Sequence, residues 1–327
     1  MTCWHVWPRA ISVALLCASA APALAAGADV DYPKRPLRVI IPIAPGGGVD
    51  TMARTLAPLL TSRLGQPVVI DNRAGGGGSI GAELTAQAMP DGHTVMLTSS
   101  SFVLHSLLYR TRYDPVRDFS PITQLVQHPY VLVTSATVPA SSVREFVSWA
   151  KAAKGNVNFA SSGNGSLIHL TGALFNSMTG IKMVHVPYKG LALAFPDMFS
   201  GQVHATFGSI LTSLPHISSG RLKPLAVTSL KRTARLPDVP TLDESGVSKF
   251  DVTQWYGVFA PARTPARFVT RLQTEIAGAL ASPDTASRIA NEGSNAVGNT
   301  AAEFAQVVAA EKTKWSVLIQ QAGIRGE

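Results

Sequence analysis

The sequence predicts an α/β protein of two lobes, each a mostly parallel sheet flanked by helices, with hinge strands between them. Three observations carry this expectation. Residues 37–64 read as strand, glycine turn and helix. The chain then continues in β-α-β-α-β order to residue 98, an order that builds a parallel sheet with helices on its faces. The stretch 158–200 repeats the same logic of strand, small polar turn and helix.

Each element has its own signal. Leu37 to Ile43 is an apolar run of strand length. The turn Ala44-Pro45-Gly46-Gly47-Gly48-Val49-Asp50 follows, and its glycines let backbone approach whatever lies beyond the strand. Asp50 is placed to cap the helix, which Met52, Leu56, Leu59, Leu60 and Leu64 mark by spacing and Gly65 stops. Pro58 inside that pattern predicts a kink. Pro67 to Ile70 is the second strand, and Asp71 to Gly81 leads into a helix reaching about Met89. Thr94 to Thr98 is the third strand, ending in Ser99-Ser100-Ser101. In the second unit Tyr130–Thr134 is a strand, and Ser142 with Glu145 resembles a capping box. Asn158–Ala160 runs into Ser161-Ser162-Gly163-Asn164-Gly165-Ser166 and a helix from Leu167 to Gly180. Met183–Val186, Val203–Phe207 and Leu225–Thr228 complete the second sheet. Thr253–Ala260 heads back, and helices over Pro265–Ala281 and Ala301–Gln321 finish the chain. The expected boundaries are a leader at 1–25, lobe one at 32–127 with 253–327, and lobe two at 128–252.

The leader has a polar start with His5 and Arg9, an apolar stretch from Ile11 to Ala21, and an Ala23-Leu24-Ala25 cleavage site. It reads as a signal peptide, so the mature chain is expected in the periplasm. Both cysteines, Cys3 and Cys17, lie within it. The mature chain is therefore expected to hold by packing alone, without thiol chemistry or disulfides. The formal charge of +8 is scattered, with no run of four basic residues. Together with export, that argues against nucleic acid and fits attraction of small anions.

Several motifs match catalytic patterns, and context decides against each. Gly76-x-Gly78-x-x-Gly81 matches a dinucleotide fingerprint, but it follows the second strand and no acid ends the next strand. Gly77-x-Ser79-x-Gly81 matches a nucleophile elbow, but glycines and Arg73 separate it from its strand. His169 stands three residues after Ser166, and adjacent helical positions do not aim a hydroxyl at an imidazole. No His-Glu-x-x-His occurs, so no metal site is expected. A helix start after a strand favours an anion. Two readings of the 44–50 turn stay open: an anion site, or a tight turn with no ligand. Ser161–Ser166 adds hydroxyls and amides but no acid or base, equipment for holding a carboxylate. His169 either touches ligand or bonds to backbone, and Lys189 can add a charge.

Residues spread over the chain carry a resemblance. They include Pro42-Ile43-Ala44-Pro45-Gly46-Gly47 with Asp50-x-x-Ala53-Arg54, Asp71-Asn72-Arg73-Ala74-Gly75, Pro90-Asp91-Gly92 and Tyr113-Asp114-Pro115. Ser161-Ser162-Gly163-Asn164-Gly165, His185-Val186-Pro187-Tyr188-Lys189-Gly190, Leu225-Ala226-Val227-Thr228 and Pro237-x-Val239-Pro240-Thr241 continue it. In this order they resemble the Bug/TctC family, extracytoplasmic solute-binding proteins of tripartite tricarboxylate transporters. The resemblance implies a type II periplasmic binding protein that closes on a small carboxylate and serves membrane transporter subunits, without cofactor or catalysis; nothing in the sequence demands more than a monomer. Carried onto this chain, ligand contact falls on Ala44, Pro45, Gly46, Gly47, Gly48 and Asp50 in lobe one, with Ser99 and Ser100. In lobe two it falls on Ser161, Ser162, Gly163, Asn164, Gly165, Ser166, His169, Tyr188, Lys189 and Gly208. Gly208 stands where many relatives have an acid, which weakens an amino-acid ligand. His93 stands where a tyrosine is usual. The rival expectations are a secreted serine hydrolase using Ser79, or Ser166 with His169, and a receptor feeding a sensor.

Overall fold

A computed structural model describes residues 1–4, 32–153, 156–188, 190–291 and 293–326. The chain divides into two units, Met1–Tyr32 and Pro33–Glu327. Most of the expected leader, and Lys189, lie outside the described residues.

Alternating apolar strands and glycine-stopped helices open the second unit. β1 (Leu37–Ile41) is followed by α1 (Gly48–Leu64), β2 (Val68–Asn72), a short 3-10 turn at Gly76–Gly78, α2 (Ser79–Ala86), β3 (Thr94–Ser99) and α3 (Ser101–Leu108). β4 (Phe119–Ser135) is a strand of 17 residues. After it come α4 (Val143–Ala152), β5 (Asn158–Ser161), α5 (Leu167–Thr179), β6 (Val184–Pro187), α6 (Phe195–Phe199), β7 (Ala205–Ser209), α7 (Ile210–Ser218) and β8 (Leu222–Val227). β9 (Thr253–Pro261), α8 (Ala266–Leu280), α9 (Pro283–Asn291), β10 (Asn295–Ala296) and α10 (Ala301–Ala322) complete it.

The strands run in the order β2-β1-β3-β9-β4-β7-β5-β6, with β8 and β10 also paired to β4. Strands β1, β2 and β3 are parallel, as are β5, β6 and β7. β4 belongs to both groups. Its residues 119–129 pair antiparallel with β9, and Tyr130–Ser135 pair with β7 and β8. Two α/β sheets are thus joined through one strand. The sequence shows only the second half of β4, because Pro121 and Pro129 interrupt the pattern; pairing with β9 carries the first half past two register shifts.

Register sets where the turns meet. Ser99 pairs with Tyr256, His128 with Gln254, and Tyr130 with Ser209. The carboxyl ends of β3 and β7 therefore converge on opposite sides of the 128–130 crossover. Ligands in open α/β sheets sit outside such strand ends.

Each sheet has its own aromatic core. Phe102, Tyr113, Phe119, Trp255, Phe259 and Phe304 pack in the first, and Phe146, Phe159, Phe175, Phe207 and Phe250 in the second. Each fully buried ring stabilises by about 1.5–3 kcal/mol. α10 bridges the two, packing on α3, β4 and α5. Three helices were not foreseen. α3 continues the Ser99–Ser101 turn because Phe102 and Val103 bury against the first core and Leu104 against the second. α7 and α9 are short, and α7 carries Pro215.

One local expectation is corrected. Asp50 does not cap α1: the helix begins at Gly48, with extended Gly47 as its cap and no side-chain bond there. The glycine turn is tight enough to start the helix three residues early, which puts Asp50 inside its first turn. The helix runs unbroken through Pro58 and ends at left-handed Gly65.

Candidate functional site

The loop after β1 is held from below. Asp50 is 2% exposed. One carboxylate oxygen accepts the Gly46 N–H and the Arg54 Nε–H, each at 2.9 Å. The other accepts from Asn72 Nδ2 at 2.9 Å, and that amide also donates to the Ile43 carbonyl at 3.2 Å. With the Arg54 guanidinium first, these donors hold the Asp50 carboxyl at about 2. Its oxygens are engaged in fixing the loop. Ala44, Pro45, Gly46 and Gly48 are exposed above it, and the α1 start has no side-chain cap. Its first amides, unpaired within the helix by geometry, point outward with the positive end of the helix dipole. Gly46 is left-handed, with φ of 89°. A Cβ on Gly48 would collide with the Tyr256 hydroxyl, so β9 approaches this helix start directly.

The turn after β3 offers hydroxyls. Ser99 Oγ and Ser101 Oγ bond to each other at 2.6 Å. The Ser100 N–H donates to the Trp255 carbonyl at 3.0 Å. Ser100 is fully buried, and its Oγ has no hydrogen-bond partner among the described residues. A buried, unsatisfied hydroxyl costs free energy that a ligand atom can recover.

The loop after β5 is internally braced. Ser161 is buried; its Oγ accepts the Gly163 N–H at 3.1 Å and lies 2.6 Å from His185 Nε2. Ser166 caps α5 by accepting the His169 N–H at 3.2 Å. His169 Nδ1 accepts the Gly165 N–H at 3.1 Å. Of the two expectations for His169, its ring therefore makes the backbone bond. No hydrogen bond joins the Ser166 hydroxyl to that ring, and none joins Ser79 Oγ to an imidazole, among the described residues. Ser162 is exposed at the tip. The ideal Cβ position of Gly165 lies 2.6 Å from Leu108, so the loop reaches α3.

Among the described residues, Tyr188 is tied to this loop, and Gly208 lies on β7, which pairs with β5. The Tyr188 N–H donates to the Ser161 carbonyl at 3.1 Å, and its hydroxyl donates to Asp197 at 2.5 Å. Burial, then Asp197, pushes the phenol up to about 12. Gly208 is buried, and a Cβ there would collide with Ser213 Oγ.

The crossover supplies residues that sequence reasoning missed. The Tyr130 hydroxyl donates to Gln254 Oε1 at 3.4 Å, and the His128 and Tyr256 rings pack at 4.6 Å. His128 Nδ1 lies 2.5 Å from Ser294 Oγ. Polar side chains inside otherwise apolar strands were the available signal. Among the described residues no group of His, Cys, Asp and Glu is arranged to hold a metal, and no helix is long and apolar enough to cross a membrane.

Residues 52–324 match the family described as tripartite tricarboxylate transporter family receptor. The chain is 37% identical over 290 residues to "UPF0065 protein in tcbD-tcbE intergenic region" of Pseudomonas sp. (strain P51), covering 88% of this chain and 86% of that one. It is 36% identical over 316 residues to Protein BugT of Bordetella pertussis, covering 96% and 97%. Among solved structures it resembles an R. palustris protein with adipate, at TM-score 0.74 and 34% identity over 90% of this chain and 99% of that one. It also resembles MatC from Rhodopseudomonas palustris with bound malate, at TM-score 0.71 and 30% identity over 88% and 100%.

Proposed function

The chain belongs to the tripartite tricarboxylate transporter receptor family, and from that premise we propose that it captures a small organic carboxylate in the periplasm and delivers it to a transporter of that type. The observation that carries this reading is the pairing of two braced loops at strand carboxyl ends. Ala44–Gly48 offers uncapped helix amides, and Ser161–Ser166 offers amides and the exposed Ser162. The unpartnered Ser100 hydroxyl lies in the turn after β3, the strand that pairs with β1. A carboxylate with two ends satisfies both loops at once.

Closure follows from the same geometry. β4 runs from one sheet into the other, so a ligand touching both loops favours the closed form by binding both lobes. These loop donors are neutral, so they hold the anion by directed dipoles and hydrogen bonds, and Lys189, outside the described residues, can add a charge. No nucleophile–base pair is used, and no reaction is part of this reading. The adipate and malate named for two similar structures support dicarboxylates as the first class to try. The leader at 1–25 would export the chain.

A thermal-shift screen of the chain from Ala26 tests the proposal. The panel is adipate, malate, citrate and aromatic acids, each with its amide. A ligand at 100 times its dissociation constant adds ~2.7 kcal/mol of stability. One acid that shifts unfolding while its amide does not is the expected result. Equal shifts by acid and amide, or none after unfolding and refolding to strip a bound ligand, would reject carboxylate capture.

A further inference from the structure

His169 and His185 form a stacked pair directly beneath the Ser161–Ser166 loop. Their ring centroids are 3.7 Å apart and their planes lie within 8°. Phe159 of β5 backs the pair, 5.1 Å from the His185 ring. Each imidazole holds one point of the loop. The Ser161 hydroxyl donates to the Gly163 carbonyl at 3.0 Å and accepts the Gly163 amide, so His185 Nε2, at 2.6 Å, donates to it. His169 Nδ1 accepts the Gly165 amide at 3.1 Å. Gly163 and Gly165 have φ of 132° and 70°, so this loop conformation needs external support.

We propose that the His169–His185 stack is the positioning element of the second binding loop, holding it ready for an anion while both rings are neutral and releasing it when His169 is protonated. This rests on the reading that the loop receives a carboxylate. The chemistry is specific. His169 can accept from Gly165 only if Nδ1 carries no proton, so the ring is the Nε2–H tautomer. A proton on Nδ1 would set one N–H against another and expel the Gly165 amide. A charge on either ring would also face its stacked partner at van der Waals distance.

Among the described residues lining the groove beside the pair, none is acidic. The pair borders an open groove between α5 and the end of α10. α5 contributes Asn176 and Ser177 there, the segment before β6 contributes Lys182, and α10 contributes Leu318 and Gln321. Lys182 is the other ionisable group among these lining residues, and its charge has the wrong sign. Burial, and then His169, pushes His185 down to about 4, and burial lowers His169. The groove nevertheless gives protons a path to the rings.

The test reads the loop before it reads binding. Amide exchange of Gly163 and Gly165 is measured from pH 7 to pH 4, corrected for intrinsic rates, with Ile276 in α8 as a control for global unfolding. Side-chain NMR of both imidazoles reports tautomer and titration. The double variant His169→Asn with His185→Gln keeps a hydrogen-bonding atom at each contact and cannot be protonated. Expected is a loss of protection of about tenfold or more in the wild type at acid pH, absent from the double variant. Equal loss in both proteins, or undiminished protection in the wild type through the imidazole titration, overturns the proposal. Adipate titrations on both proteins at matched pH add the binding arm, where the ligand's own protonation cancels. If adipate and the rest of the carboxylate panel fail to bind at pH 7, the functional reading falls, while exchange and NMR still decide the role of the pair.

Discussion

The Asp50 carboxylate accepts the backbone amide of Gly46 at 2.9 Å, four residues back and outside the helix that carries Asp50. This one contact turns a glycine-rich turn into a fixed surface. It also separates two roles that the sequence presents together: the exposed backbone is available to a ligand, and the buried acid is engaged with the protein.

Replacing Asp50 by Asn tests that role. The variant loses the charge-assisted bonds to Gly46 and Arg54, and its amide nitrogen faces donors. A loss of about 1–3 kcal/mol in urea unfolding at pH 7 is expected, together with weakened ligand binding. The acid limb follows from the carboxyl held at about 2. A group depressed in the folded state stabilises above its unfolded value, and that contribution disappears as pH falls toward 2. Allowing for solvent around half-exposed Arg54, wild type should lose ~1–2 kcal/mol there that the variant does not. Parallel stability curves for the two proteins would contradict this.

Ser100 separates binding from folding. Its buried hydroxyl has no partner among the described residues. Ser100→Ala should therefore leave stability within about 0.5 kcal/mol of wild type, or raise it, since no hydrogen bond is lost. Affinity for the carboxylate should fall by about tenfold, the worth of one hydrogen bond to a charged group. Calorimetric titration beside thermal melts reads both. A clear loss of stability with unchanged affinity would make the hydroxyl structural.

Gly48 and Tyr256 couple the helix start to the hinge strand. Ala at 48 should gain up to about 1 kcal/mol from helix propensity and lose it again by displacing the tyrosine ring. Net stability should change little, while ligand affinity falls. Tyr256→Phe removes the colliding hydroxyl, so the double variant should bind better than Gly48→Ala alone. Additive losses in the double-mutant cycle would show that the two residues do not share a space.

Legibility in the sequence followed local periodicity. The strand–turn–helix units at 37–64 and 158–180 were readable because apolar spacing and glycine stops are local signals. β4 was half hidden, since its first part is a strand by virtue of β9 and not of its own pattern. The binding loops were readable as glycine and serine clusters. Which hydroxyl is free was not readable: Ser161 is consumed by Gly163 and His185, and Ser100 is unpaired. That distinction depends on residues far away in sequence. The polar crossover of His128, Tyr130, Gln254 and Tyr256 was overlooked because its residues lie within strands, not in turns.

Glu311 lies behind the same crossover and gives the protein a stability that depends on pH. It is 8% exposed on α10 and accepts the Trp255 indole N–H at 2.8 Å. Lys314, one turn on, donates to the Asp251 carbonyl at 2.8 Å, just before β9. Burial pushes the Glu311 carboxyl up to about 7, despite Lys314 and Trp255. Its folded value thus exceeds its unfolded value of 4.5. The folded protein binds the extra proton between these values, so this group's contribution declines as pH rises from about 4.5 to 7. Glu311→Gln keeps an oxygen acceptor for Trp255 and removes the buried charge. The variant should match wild type near pH 4.5 and exceed it by ~1–3 kcal/mol at pH 8. Denaturant melts of both proteins across this range measure the difference. A variant less stable than wild type at pH 8 would mean that the Glu311 charge is fully compensated by Lys314, and that the helix is tied to the hinge by an ion pair instead of a neutral hydrogen bond.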